Sequence, residues 1–227
     1  MIFFPHPLTC SEEGLIAVGG LLNRERLLLA YRCGIFPWYN DGPILWWFTY
    51  PRATILPETL HVSKSMNRLI RSSPWTVTVN YRFQEVIEAC AEIIRPNQTG
   101  TWINEEMKDA YLDLHERGNA HSIEVWDEDE LIGGLYGVVA GKIFFGESMF
   151  SYRSNASKYG FLILARWLFN NGCTLIDCQQ DTEHMRSLGT TLLSKEEFWT
   201  YVKKNQLEQD INLSTTKYLV RPDNRDS

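Results

Sequence analysis

Leu27, Leu28 and Tyr31 recur at helical spacing between Asn23, a good N-cap, and Gly34, a good terminator, and predict one helix. Loops and tryptophans surround it, so the first stretch, residues 1–52, reads as a small accessory lobe. From residue 53 the pattern turns mixed: a short helix after Ser63 that ends before Pro74, a strand at 75–80, and helices at 82–94 and 105–117, the last set between Asn104 and Gly118. Apolar runs at 120–126, 130–139 and 142–150 then meet at tight turns around Asp127-Glu128-Asp129 and Ala140-Gly141, which predicts an antiparallel meander. A long helix at 156–171, with Asn155 as its expected cap and Gly172 as its end, leads into a strand at 173–178. Ser194 with Glu197 predicts a capping box for one more helix, and the tail after about 208 shows no periodicity. Together these make residues 53–227 an α+β sheet sandwich.

Composition narrows the class. Of 227 residues, 44% are hydrophobic and 22% charged, and no apolar run approaches the ~20 residues a bilayer helix needs, so no membrane span is expected. The start, MIFFPHPLTC, has no Lys or Arg and meets Pro5 and Pro7 at once, unlike a secretory signal; a cytoplasmic protein is expected. Five cysteines, with no C-x-x-C pair, point to reduced, buried thiols, and no histidine or cysteine spacing suggests a metal site. The net charge of −6 weighs against nucleic-acid binding, but residues 52–82 alone carry +4, leaving −10 on the remainder.

Several residues stand out for chemistry. Trp38, Trp46 and Trp47 crowd a turn-rich segment, and Trp102 sits in a separate loop, GTWI. Core filling is the default for Trp46 and Trp47, whereas Trp38 and Trp102 suit either packing or stacking on a base or other flat ring. Lys64, Arg68 and Arg71 recur at i, i+4, i+7 and form one helix face, either solvated or a ladder for phosphates. Glu147 lies in an apolar strand beside Gly146, where a bulge or close ligand approach is allowed; turned inward it needs a partner, a ligand amine or an internal cation. Asp177 and Gln179, two residues apart at the end of a strand, are expected to leave one face together and to orient an attacking amine or relay its proton; a structural strand-end hydrogen bond is the alternative. Cys178 would then face the other way and is not a nucleophile working with them.

Taken together, GLIAVGG at 14, LLLAYRCGIFPWY at 27, PILWW at 43, PRA at 51, NY at 80, GTWI at 100, AHSIEVW at 120, GGLYG at 133, FGESMF at 145, NASK at 155, LIDCQ at 175 and SLG at 187 closely resemble the leucyl/phenylalanyl-tRNA-protein transferase family. The resemblance implies a GNAT-like acyltransferase domain with a small amino-terminal lobe. It implies transfer of Leu or Phe, less readily Met, from aminoacyl-tRNA to proteins beginning with Arg or Lys, which marks them for degradation by the N-end rule pathway. By the same resemblance, Trp38, Trp102, Tyr31, Tyr111 and Glu147 surround the terminal adenosine of the tRNA, and Leu135, Phe144 and Leu164 form the pocket for the transferred side chain. Asp177 and Gln179 match the pair that assists the acceptor's α-amine, and Lys64, Arg68 and Arg71 match a tRNA-backbone surface. No cofactor is expected, and a monomer is. The chain departs from the pattern at Gly20-Leu21-Leu22, at Phe48-Thr49-Tyr50, at Leu164, where an aromatic can occur, and at Asn67 and Ser72, where more cations are expected.

Two other classes compete. An acyl-CoA enzyme should carry a pyrophosphate loop of the form Arg/Gln-x-x-Gly-x-Gly/Ala; the nearest string, Arg186 to Thr191, fails at its last position and follows the Asp177 strand. A non-catalytic RNA-binding relative would tolerate loss of the residues named above, yet Trp38, Trp102, Glu147, Asp177 and Gln179 are all present.

Overall fold

The computed structural model describes residues 3–93, 101–214 and 216–220; Ile94, Gly100 and the tail from 221 lie outside the described residues. The first fifty residues build a three-stranded antiparallel sheet from β1 (Leu15–Val18), β2 (Phe36–Pro37) and β3 (Leu45–Trp47), in the order β1-β3-β2, around helix α1 (Arg24–Arg32). Asn23 caps α1 by accepting the Arg26 N–H at 3.0 Å, and Gly34 leaves the helix at φ +71°, a conformation a β-carbon would strain. These strands were not expected, because two to four residues are too few to show a period of two.

The rest of the chain runs β4 (Arg52–Ile55), α2 (Lys64–Ser72), β5 (Thr76–Val79), α3 (Phe83–Glu92), α4 (Glu105–Glu116), β6 (Ala120–Asp127), β7 (Glu130–Ala140), β8 (Ile143–Ser151), α5 (Ala156–Asn170), β9 (Leu175–Gln179), α6 (Glu183–Arg186), β10 (Thr191–Leu193), α7 (Lys195–Asn205) and β11 (Tyr218–Val220). The strands form one sheet in the order β10-β4-β9-β8-β7-β6-β5-β11. Every pair is antiparallel except β8–β9, which α5 joins as a crossover. The meander β6-β7-β8, the crossover helix and the parallel return strand make the α+β architecture expected from the sequence.

Both faces of the central strands are covered. In β7, Tyr136, Val138 and Ala140 pack with α3, α4 and the lobe, while Leu135 and Val139 pack with α5 on the other face. One expectation needs correction at the start of α5. Asn155 is left-handed at φ +68° and makes no capping hydrogen bond; Ser151 Oγ, reaching back from β8, accepts the Ser157 N–H at 2.9 Å instead. Among the described residues, no helix is long and apolar enough to cross a membrane.

Candidate active site

The parallel pair β8–β9 is short, and its end opens a cavity. Register holds only from Ile143↔Leu175 to Phe145↔Asp177. Beyond that point Glu147 is an extra residue on β8 opposite β7, and Cys178 is an extra residue on β9 opposite β4. Two bulges side by side bend the strands apart. Gly146, Glu147, Ser148 and Met149 line one wall of the resulting cavity of about 820 Å³, and Cys178, Gln179 and Gln180 line another. Trp38, Trp102 and Leu135 complete the predicted part of the lining, and Phe36, Tyr136, Phe161 and Met185 join them.

The tryptophans are held from behind. Trp38 follows β2, its N–H donates to Leu45 O at 2.9 Å and its carbonyl accepts Trp47 Nε1–H at 2.7 Å, which leaves the ring 36% exposed on the cavity. Trp46 is fully buried and donates its indole N–H to Gly19 O at 3.0 Å, so it is a core residue. Trp102 precedes α4, half-buried against the core. Next to Trp38, Tyr39 donates to Glu106 on α4 at 2.9 Å, which ties the two tryptophan-bearing segments together.

Inside the protein Glu147 is met by two hydroxyls rather than by the internal cation that was one of the alternatives. Tyr31 from α1 and Tyr111 from α4 each donate a hydroxyl hydrogen bond to its carboxylate at 2.8 Å, and the two hydroxyls also touch each other. Desolvation raises the Glu147 carboxyl to about 7, against the two tyrosine hydrogen bonds, which act to lower it. Burial first and the Glu147 charge second push both tyrosines well above their ordinary range, so they are protonated donors. The carboxyl therefore sits on the cavity wall with its protonation balanced near neutrality, where proton exchange with a ligand is easiest.

Asp177 and Gln179 do not share a face as strand alternation predicted. The bulge at Cys178 and the left-handed backbone of Gln179, φ +55°, break the period. Asp177 turns into the core, 0% exposed, where Arg52 Nε reaches Oδ1 at 2.8 Å and Nη2 reaches Oδ2 at 2.7 Å. Gln179 turns onto the cavity wall, where its amide Nε2 has no hydrogen-bond partner among the described residues. The two remain linked, because the Gln179 N–H donates to Asp177 Oδ1 at 2.9 Å. A left-handed non-glycine residue costs ~1–2 kcal/mol, about what that charge-assisted hydrogen bond returns. Cys178 also lines the cavity, but burial pushes its thiol well above the usual range, so it stays protonated.

Of the three pocket residues, Leu135 reaches the cavity wall, while Phe144 and Leu164 are fully buried in the same apolar cluster and do not line it. Phe161 and Met185 line it instead; neither belongs to a recognisable string, and no local signal singles them out. Arg52, Tyr136 and Met149 lay inside the PRA, GGLYG and FGESMF strings but carried no assignment.

Lys64, Arg68 and Arg71 are exposed along α2, which packs on α5, and they join none of the ion pairs among the described residues. The other two cations of the basic stretch are spent internally: Arg52 on Asp177 and Arg82 on Glu85. Arg166 of α5 hydrogen-bonds Asn67 at 3.1 Å and adds an exposed cation beside the stripe. No cluster of metal-ligating side chains occurs among the described residues.

The leucyl/phenylalanyl-tRNA protein transferase family matches residues 54–203, and the N-terminal domain of the same family matches residues 20–49. The leucyl/phenylalanyl-tRNA–protein transferase of Pseudomonas fluorescens is 52% identical over 196 residues, 86% of each chain. That of Pseudomonas syringae pv. tomato is 50% identical over 193 residues, 85% of this chain and 84% of its own. That of Lawsonia intracellularis is 49% identical over 200 residues, 88% of each. Among solved structures, a GCN5-related N-acetyltransferase from Kribbella flavida is 13% identical over 64% of this chain and 55% of its own, with a TM-score of 0.42. With about half its residues shared across most of its length, and the family's two domains matched in order, this chain belongs to the leucyl/phenylalanyl-tRNA protein transferase family, whose members are aminoacyltransferases.

Proposed function

We propose that this protein moves Leu or Phe, and Met less readily, from aminoacyl-tRNA to the α-amino group of proteins that begin with Arg or Lys, and so marks them for degradation by the N-end rule pathway. The observation that carries this is the cavity, which brings Trp38, Trp102, Glu147 and Gln179 to one space beside an apolar wall of Leu135, Met149, Phe161 and Met185. The terminal adenosine stacks on Trp38 and Trp102, with Tyr31, Tyr111 and Glu147 forming its polar support. The transferred side chain enters the apolar wall, with Phe144 and Leu164 as its backing. Such a wall separates Leu from Val only by CH₂ groups worth ~0.8 kcal/mol each, so specificity is relaxed.

The aminoacyl ester is already activated, so the reaction needs no covalent intermediate and no cofactor. A neutral α-amine attacks the ester carbonyl, the C–N bond forms, the C–O bond to the tRNA ribose breaks, and the amine's proton ends on that ribose oxygen. Gln179 presents its amide to the attacking amine, and Asp177 stands behind it. Lys64, Arg68 and Arg71 hold tRNA phosphates. Residues 1–52 act as the lobe that supports the donor and residues 53–227 as the transferase unit, in a cytoplasmic monomer.

The test is transfer of radiolabelled Leu and Phe from charged tRNA to a protein beginning with Arg, with a Gly-starting version as control and no CoA present. Transfer confined to the Arg-starting protein is expected. Tight tRNA binding with no transfer would make the chain a non-catalytic RNA-binding relative.

A further inference from the structure

We infer that Arg52 is the positioning residue of the transfer site, acting through Asp177 on Gln179; this rests on the proposed role of Gln179 in the transfer. Three parts of the molecule meet at its guanidinium, which is 0% exposed. From the lobe, Gly34 O accepts Nη2–H at 2.9 Å and Thr49 Oγ1 accepts Nη1–H at 3.2 Å. The Phe36 ring of the lobe and the Phe198 ring of α7 lie 4.8 and 4.6 Å from its carbon. From β9, Asp177 takes two of its hydrogens in a fork.

This geometry decides what Asp177 does. Its Oδ1 already accepts from Arg52 Nε and from the Gln179 N–H, its Oδ2 accepts from Arg52 Nη2, and the side chain has no exposed surface. Asp177 therefore does not reach the amine. It transmits a position: the guanidinium fixes the carboxylate, the carboxylate fixes the backbone N–H of Gln179, and Gln179 is held left-handed with its amide on the cavity wall. A buried ion pair is a weak device for stability, since apolar groups of the same shape do as well. It is a strong device for orientation, because a fork fixes both distance and plane. The same guanidinium also joins the lobe that carries Trp38 to the strand that carries Gln179, so donor and acceptor sides share one anchor.

A double-mutant cycle on the full chain tests this, reading kcat and the KM for Leu-tRNA with an Arg-starting acceptor, and circular dichroism to confirm folding. Arg52→Lys keeps the charge but cannot fork, and is expected to lower kcat on the order of 10²-fold while KM stays within about threefold. In a Gln179→Ala background the same change is expected to alter kcat by less than about twofold, because the two act in series. Should Arg52→Lys not fold, Thr49→Val removes only the hydroxyl that receives Nη1–H and is run through the same cycle, with a smaller loss expected and the same lack of additivity. A multiplicative loss in the double variant, or an unchanged kcat in the single one, overturns the role of Arg52. An unchanged kcat in Gln179→Ala alone overturns the reading of Gln179 on which it rests.

Discussion

Glu147 is the clearest case of a residue whose behaviour follows from its neighbours. Its carboxyl is raised from an ordinary 4.5 to about 7, chiefly by desolvation, so the folded chain holds this proton more tightly than the unfolded chain does. The contribution to stability is fully present below pH 4.5 and is lost as pH rises through 7. Glu147→Gln, which has no charge to desolvate, is expected to melt above the wild type at pH 8 and level with it at pH 4; equal melting temperatures at pH 8 would mean that the carboxyl titrates normally. The tryptophans are tested by kinetics. Trp38→Ala or Trp102→Ala is expected to remove ~1–3 kcal/mol of stacking and so raise the donor KM by about 5- to 150-fold. An unchanged donor KM in both variants would remove the adenosine from that part of the cavity. The sequence made these residues visible singly, as an acid in an apolar strand and as indoles in loops. The local pattern hid the partners of Glu147, because Tyr31 lies 116 residues away and Tyr111 lies 36 away on different helices, and only the family resemblance had put the three at one site.

At the scale of elements, legibility followed length and capping. The helices after Ser63, Asn104 and Ser194 begin where a side-chain oxygen accepts the N–H three residues on, as their spacing predicted. The strands β4, β10 and β11 were missed for one reason: each has three or four residues and owes its existence to a distant partner, Arg52–Ile55 pairing with Thr191–Leu193 and Tyr218–Val220 with β5. No local period marks such strands. Gly146 had allowed a bulge beside Glu147, but nothing local marked the one at Cys178, and with it went the expected common face of Asp177 and Gln179. On the proposed reading, the element with the most direct function is α2. Its three exposed cations join no ion pair among the described residues, so each would be free to displace a counterion from tRNA. Replacing Lys64, Arg68 and Arg71 together by Gln is expected to lower the slope of log K against log salt by ~2, at ~0.7–0.9 per contact. Adding Arg166→Gln is expected to lower it once more. A slope indifferent to all four would reduce the helix to a solvated face.

For the molecule as a whole, the lobe is separate in its sheet but not in its core. Leu27, Tyr31, Trp46 and Phe48 from the first fifty residues are buried in one cluster with Tyr111, Phe145 and Phe198 from the rest. The cavity depends on that continuity, since Trp38 comes from the lobe, Trp102 from the approach to α4, and Glu147 and Gln179 from the large sheet. On the proposed reading, an independently mobile lobe would carry the donor's stacking surface away from the amide offered to the acceptor. Opening it would also expose the Arg52–Asp177 pair, whose charges are both 0% exposed and held in part by Gly34 and Thr49. Leaving buried charges half-partnered costs several kcal/mol, so partial opening is strongly disfavoured relative to opening everything at once. Hydrogen exchange across a series of low urea concentrations reads this directly. The slowest amides of α1 and β3 are expected to converge on the same opening free energy as those of β6, β7 and β8. Amides of the lobe that open several kcal/mol earlier, with the sheet still protected, would show that the two halves of the site are joined only when substrate holds them together.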